Sequence, residues 1–313
     1  MIAKRKLGLP KQMTFEEKLR RVCEQCTEST IVTYMYNIRA LAKLAGHGMV
    51  PPNERWVNKA LLEKVKKLSL TQYKKFTIAG QKALQAYDKP KHIWKDAVRE
   101  ASDQYSAKRN KQKRTEKEAA NWPEGGYKAL KKLAETLHGE VEPILEEAPS
   151  SISQSELYRL QQWFIVTFYA NHALRGDLAE VKIEKRGQNY IHEKNGKWHM
   201  HIGVHKTVKA HGAIDFVLAE PVQEALKQLL PFVKAKTNHG YLLTTKRTGQ
   251  KLSRRDMLKM LRNLTEDRLG KRLGVQMIRT LRVTESAEAI NETAKLRAEL
   301  GHSATTQFQY VSK

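Results

Sequence analysis

Apolar residues recur at helical spacing over most of this chain and alternate at strand spacing in one short region. Ile31, Tyr34, Ile38, Leu41 and Leu44 share one stripe of a helix that Ser29 or Thr30 opens. Gly46, Gly48 and Pro51-Pro52 end it. Helical periodicity begins near Phe15, and further helices are predicted over 56–67, from Ser69 to Tyr87, and from His92. No strand pattern interrupts residues 13–118, which predict an all-helical domain behind an irregular basic arm at 1–12. Asn121-Trp122-Pro123 opens a second unit. Helices are predicted over 127–138 and 155–170, with Pro143, Pro149, Ser150 and Ser151 marking the loop between them. Ser153 and Glu156 have capping-box spacing. Leu157, Leu160, Trp163, Phe164, Val166 and Phe168 make the helix they open the central core element.

The strands follow. Val181-Lys182-Ile183 is a short extended piece. Asn195-Gly196, between 190–193 and 197–205, is a type I′ hairpin signal. Trp198, Met200, Ile202 and Val204 alternate there with His199, His201 and His205. Alternation on a strand accounts for these histidines, and no carboxylate cluster joins them, so no metal is expected. A third strand covers 213–218, after a turn at 205–212 rich in basic groups. Helices return over 221–235, from Ser253 to 269, around Arg279 and Arg282, and over 292–300. The expected architecture is multidomain α and α+β: an all-helical N-terminal domain at 13–118 and a mostly helical domain at 119–313 with a small three-stranded antiparallel sheet.

Charge adds a partner to this picture. The 313 residues hold 57 Lys+Arg against 33 Asp+Glu, a formal net charge of +24. Residues 1–118 carry 27 basic and 12 acidic groups, and residues 119–313 carry 30 and 21. A surplus spread over the whole chain favours a polyanion, nucleic acid above acidic protein or lipid. Lys108, Arg109, Lys111, Lys113 and Arg114 lie between the two expected domains. The run is either a solvated helix end or a stretch that tracks phosphates. A 40% hydrophobic content excludes a disordered basic tail. No apolar run reaches membrane-spanning length and no signal peptide is evident, so an intracellular protein with no membrane partner is expected. Cys23 and Cys26 are expected to be free thiols on one helix face.

The candidate chemistry is widely spaced. Arg175 follows the core helix, and Lys206-Thr207 lies in the basic turn, with Lys209 as a competitor. Arg282 stands in Leu281-Arg282-Val283-Thr284, His302 in Leu300-Gly301-His302-Ser303, and Tyr310 near the chain end. Guanidinium groups grip phosphate oxygens in a fork. A phenol is an oxygen nucleophile. This order, with Ala173-Leu174-Arg175, resembles the phage-integrase family, the tyrosine recombinases. The Trp122 opening and the 169–183 stretch look most like integrases of large DNA viruses and their associated transposons.

The resemblance implies a site-specific DNA recombinase, an integrase that breaks and rejoins DNA through a 3′-phosphotyrosyl intermediate. Tyr310 would be the nucleophile. Arg175 and Arg282 would neutralise the phosphorane. Lys206 would be the general acid, with His302 donating a hydrogen bond to a phosphate oxygen. Arg279 stands where the family has His, either as a further phosphate clamp or as a lost base. Asp177 stands two residues after Arg175, where the family's acid is three after, and would orient that arginine. Lys108, Arg109, Lys111, Lys113, Arg114 and Lys209 are the candidate DNA contacts. No cofactor is implied. The implied partners are double-stranded DNA, a homotetramer on DNA at synapsis and an accessory DNA-bending protein, in a prokaryotic cytoplasm or nucleoid or a eukaryotic nucleus. The alternatives are a type IB topoisomerase or telomere resolvase with the same chemistry, or a non-catalytic DNA-binding protein on the same fold.

Overall fold

The computed structural model describes residues 13–111, 113–185, 187–205, 208, 212–287 and 293–295. The chain forms two compact units, Met1–Lys113 and Arg114–Lys313.

The described part of the first unit is helical: α1 (Phe15–Val22), α2 (Glu28–Leu44), α3 (Lys59–Lys66), α4 (Leu70–Ala86) and α5 (His92–Asn110). Side chains that close backbone donors set several of the starts. Thr14 and Glu17 form a full capping box on α1, and Asn58 accepts from Leu61 N on α3. Helix α2 begins two or three residues earlier than a cap at Ser29 or Thr30 implies, with Thr27 as its N-cap. The 56–67 helix is broken in two. Asn53 caps a 3-10 turn over Glu54–Trp56, and the chain re-enters a helix at Lys59. Cys23 caps the end of α1 and Cys26 lies in the turn beyond it, so the two free thiols do not share a helix face.

Leu19, Ile38, Leu41, Leu62, Leu84 and Trp94 form the core of this unit. Helix α4 approaches α5 closely at Gly80. A Cβ there would lie 2.3 Å from Trp94 Cζ3 and 2.4 Å from Cε3.

The second unit holds α6 (Glu116–Ala120), α7 (Lys128–Leu145), α8 (Gln154–Asn171), α9 (Glu220–Lys236), α10 (Arg254–Leu269) and α11 (Val275–Glu285). Helix α7 runs through Pro143, where the sequence suggests a loop. The proline falls in the last turn, so it costs one bond, to the Gly139 carbonyl, and Gly139 carries no side chain to crowd the ring. Val141 and Ile144 are buried and hold that turn on the core. Helix α8 opens with the Ser153–Glu156 capping box. From Trp163 to Ala170 every residue is buried, so α8 is the central element of the unit.

The sheet contains β1 (Lys182–Ile183), β2 (Asn189–Lys194), β3 (Lys197–Ile202) and β4 (Ile214–Val217), in that order. It is a mixed four-stranded sheet, not the expected three-stranded antiparallel one. Strands β2, β3 and β4 are antiparallel, and β1 joins β2 in parallel. Two residues are too few for periodicity to reveal. Tertiary hydrogen bonds specify β1 instead: Ile183 N donates to Gly240 O, and Leu242 N donates to Val181 O. The β2–β3 turn has positive φ at both Asn195 (52°) and Gly196 (73°), as a type I′ turn requires. Its register pairs Lys194 with Lys197 and His192 with His199.

Buried polar groups tie the layers together. Gln161 on α8 accepts from Thr244 N at 2.7 Å and donates to Thr244 Oγ1 at 2.8 Å. Among the described residues no helix is long and apolar enough to cross a membrane.

Gly80→Ala tests the α4–α5 contact. Alanine at an open helical site gains roughly 1 kcal/mol over glycine. Here the overpacked ring reverses the sign, and a net loss of about 2 kcal/mol is expected. Urea unfolding followed by tryptophan fluorescence measures it; a stabilised variant would show that Trp94 moves aside at little cost.

Candidate phosphate site

Gly125 and Gly126, with φ of 75° and 61°, turn the chain after Trp122-Pro123 and deliver Tyr127 to the start of α7. Tyr127 is buried, and its hydroxyl donates to Tyr169 O on α8 at 2.8 Å. Burial pushes the Tyr127 phenol up to about 12, although Arg282 opposes the shift, so the hydroxyl stays a proton donor. Tyr169 is fully buried. Its hydroxyl donates to Arg175 O at 3.1 Å. Burial raises the Tyr169 phenol strongly, and the nearby Asp177 charge adds to the effect.

The two candidate arginines meet this tyrosine pair from opposite ends. Arg175 is half-buried and leads into a 3-10 helix over Gly176–Glu180. Arg282 is on α11, with Cζ 5.2 Å from the centroid of the Tyr127 ring. A guanidinium over an aromatic face is attracted by the ring quadrupole and held flat. Arg282 Nη1 also donates to Glu285 Oε2 at 2.9 Å. One bond leaves most of its five donors for another acceptor. Arg279, one turn back on the same helix, is half-buried, and its Nη1 lies 3.4 Å from Gln276 Oε1.

Asp177 is buried, and its carboxylate pairs with Arg254 at the start of α10, Oδ1 to Nη1 at 3.3 Å. Gly176 makes room for that partner: a Cβ there would lie 2.9 Å from Arg254 Nε and 3.3 Å from Leu258 Cδ2. His172 closes the end of α8. Its Nε2 accepts from Ala219 N at 2.9 Å, and its ring packs against Phe168 and Phe216. Burial lowers the pKa of His172 to about 4, so the imidazole stays neutral and keeps its acceptor.

Lys108 and Arg109 are exposed in the last turn of α5, where basic groups also complement the helix dipole. Lys111 caps that helix, and Lys113 is exposed at the end of the first unit. Arg114 opens the second unit with Cζ 3.5 Å from the centroid of the Trp122 ring. His199 and His201 both face Asp215, with Nδ1 to carboxylate distances of 3.5 and 3.1 Å. His205 lies beyond β3, and its Nε2 is 2.9 Å from Gly212 O. Lys206, Lys209, His302 and Tyr310 lie outside the described residues.

Sequence reasoning missed Tyr127, Tyr169 and Arg254. The signal for Tyr169 was a hydroxyl within an otherwise apolar run, since a buried phenol needs a partner. Tyr127 had the Gly125-Gly126 turn before it. Arg254 had no local signal.

No family model matches the chain, and no curated protein sequence matches it. The crystal structure of XerA recombinase aligns with 94% of this chain and 91% of its own, at 14% identity and a TM-score of 0.35. A likeness at that score carries no argument about fold or activity.

Substitutions at the Asp177–Arg254 pair and at His172 probe the geometry. Arg254→Met strands the buried Asp177 carboxylate, with an expected loss of about 1–2 kcal/mol given the partial exposure of the arginine. Adding Asp177→Asn should recover most of that loss in a double-mutant cycle of urea melts, and full additivity would show that the pair is uncoupled. For His172, the unfolded chain takes up a proton at an ordinary pKa of about 6.5 and the folded chain only near 4. Its contribution is therefore complete above pH 6.5 and is lost as pH falls towards 4, by about 2 kcal/mol after allowing for partial exposure. His172→Gln should lose less stability than the wild type between pH 7 and pH 4.5; equal losses would place the titration elsewhere.

Proposed function

We propose that this chain is a DNA strand-exchange enzyme of the tyrosine recombinase type, acting as an integrase. The observation that carries the reading is the ladder joining Arg175 to Arg282. The guanidinium of Arg282 lies over the Tyr127 ring and the main chain at Arg175 is held by the Tyr169 hydroxyl, so two arginines far apart in sequence are tied to one buried tyrosine pair. Two guanidinium groups supply metal-free charge for a phosphorane. The ordered motifs around them and the net charge of +24 support a DNA phosphate as the target.

In this reading Tyr310 Oη attacks the scissile phosphorus, and the P–O5′ bond breaks. The phenolic proton passes to His302 or water, and Lys206 gives a proton to the departing 5′-oxygen. The 3′-phosphotyrosyl ester keeps the bond energy, so a 5′-hydroxyl from another strand reverses the step. Asp177 acts on the Arg175 segment through its pair with Arg254. The exposed run Lys108, Arg109, Lys111, Lys113 and Arg114 contributes phosphate contacts, as does Lys209. Four protomers on two duplexes complete the exchange, with or without a DNA-bending protein.

One observation favours a second reading. Arg279 stands where the resembled family has His, and a guanidinium is a poor base. A non-catalytic DNA-binding protein on this fold would keep the clamp and lose the cleavage.

A nicked duplex bearing the cognate site, resolved under denaturing conditions, separates the two. A covalent protein–DNA band that disappears in Tyr310→Phe is expected. Tight, salt-sensitive binding with no band on any candidate site would favour the binding protein instead.

A further inference from the structure

Tyr127 and Tyr169 are the most deeply placed hydroxyls near the candidate clamp, at 2% and 0% exposure. Neither is among the groups proposed to touch the phosphate. Phenylalanine would fill the same space without a polar atom to satisfy. Each hydroxyl is aimed instead at a main-chain carbonyl that continues the path between the arginines. The path has a direction. Tyr127 packs its ring on Arg282 and donates to the carbonyl of Tyr169, and Tyr169 donates to the carbonyl of Arg175. Residue 169 therefore accepts from one side and donates to the other, so neither arginine position shifts independently of α8.

We infer that Tyr127 and Tyr169 are positioning residues that set the separation and direction of Arg175 and Arg282 for one phosphate group. The inference rests on the reading of these arginines as a phosphate clamp. An arginine side chain has many rotamers, and a fork grips a phosphate in only a few of them. The Tyr127 face limits the guanidinium of Arg282 on one side, and Glu285 holds Nη1. The Tyr169 bond fixes the main chain at Arg175 between the end of α8 and the 3-10 helix that follows. Pre-placing both groups removes an ordering cost from the moment of binding.

The test uses the full chain with ¹⁵N-labelled arginine, titrated with inorganic phosphate. Arg175→Lys and Arg282→Lys assign the two Nε–H resonances. In the wild type both should move with phosphate. Tyr169→Phe and Tyr127→Leu should each raise the phosphate Kd at both arginines about fivefold or more. Tyr127→Phe keeps the ring and loses one hydrogen bond, so it should fall between. Leu229→Ala, a core truncation on α9 outside this path, should leave both Kd values within twofold while lowering the melting temperature; this separates positioning from general destabilisation. If Tyr127→Leu does not fold, the two phenylalanine variants, each lacking one oxygen, decide the matter. Wild-type resonances that respond to phosphate, with Kd values unchanged in Tyr169→Phe and Tyr127→Phe, overturn the inference and leave the clamp standing. Wild-type resonances that ignore phosphate overturn the clamp itself, and the inference with it.

Discussion

A phenol with no access to water must give its proton to something. Tyr169 sits in the fully buried half of α8, and an unmade hydrogen bond there would cost about 1–3 kcal/mol. The acceptor it finds is the carbonyl of Arg175, six residues on. That one requirement dictates the path of the chain after the helix. The segment cannot continue helical or wander outwards. His172 takes Ala219 N, Gly176 slips beneath Arg254, and Asp177 turns inwards to the same arginine. The sheet, α9 and α10 are thereby referred to one point on α8.

The start of the second unit is fixed in a related way. Arg114 Cζ sits 3.5 Å over the Trp122 ring, Asn121 Oδ1 accepts from Arg272 N, and Lys271 Nζ donates to Ala120 O. The segment that leads into Tyr127 is thus fastened to the loop that leads into α11. Both ends of the Tyr127–Arg282 contact are anchored at the same place. A charge counted as a DNA contact from sequence, Arg114, is also a piece of this fastening. Stacking on an aromatic face leaves its in-plane donors able to reach an anion.

Much of this was legible in the sequence, for identifiable reasons. Caps, turn residues and periodicity are local, and they revealed Ser153–Glu156, Asn195-Gly196 and the helical N-terminal region. Pro143 misled because the one bond it removes, to the Gly139 carbonyl, is outweighed by the burial of Val141 and Ile144 on the core. Strand β1 was noted as extended but not as part of the sheet, because its parallel pairing with β2 is two residues long and its other bonds come from Gly240 and the 241–242 segment, far along the chain. The candidate arginines could be picked out by motif. The tyrosines that join them could not, since a backbone carbonyl acceptor leaves no trace in residue types. Arg254 was invisible for a different reason: it pairs with a side chain 77 residues away in sequence, Asp177, that the motif order associates with Arg175.

The order of the sheet has one more consequence. Strand β1 is bridged on its outer side by Tyr241, whereas β4 shows no strand partner beyond β3 among the described residues. It is an open edge with Ile214 and Val217 exposed, the kind of surface to which a stray extended segment adds itself. Two features work against that. The strand is four residues long, too short to template a stable addition, and it carries the Asp215 carboxylate, which His199 and His201 keep on the sheet's polar face. A second β4 arriving alongside would bring its own carboxylate with it. The two imidazoles thus hold in place a charge that discourages sheet-to-sheet association.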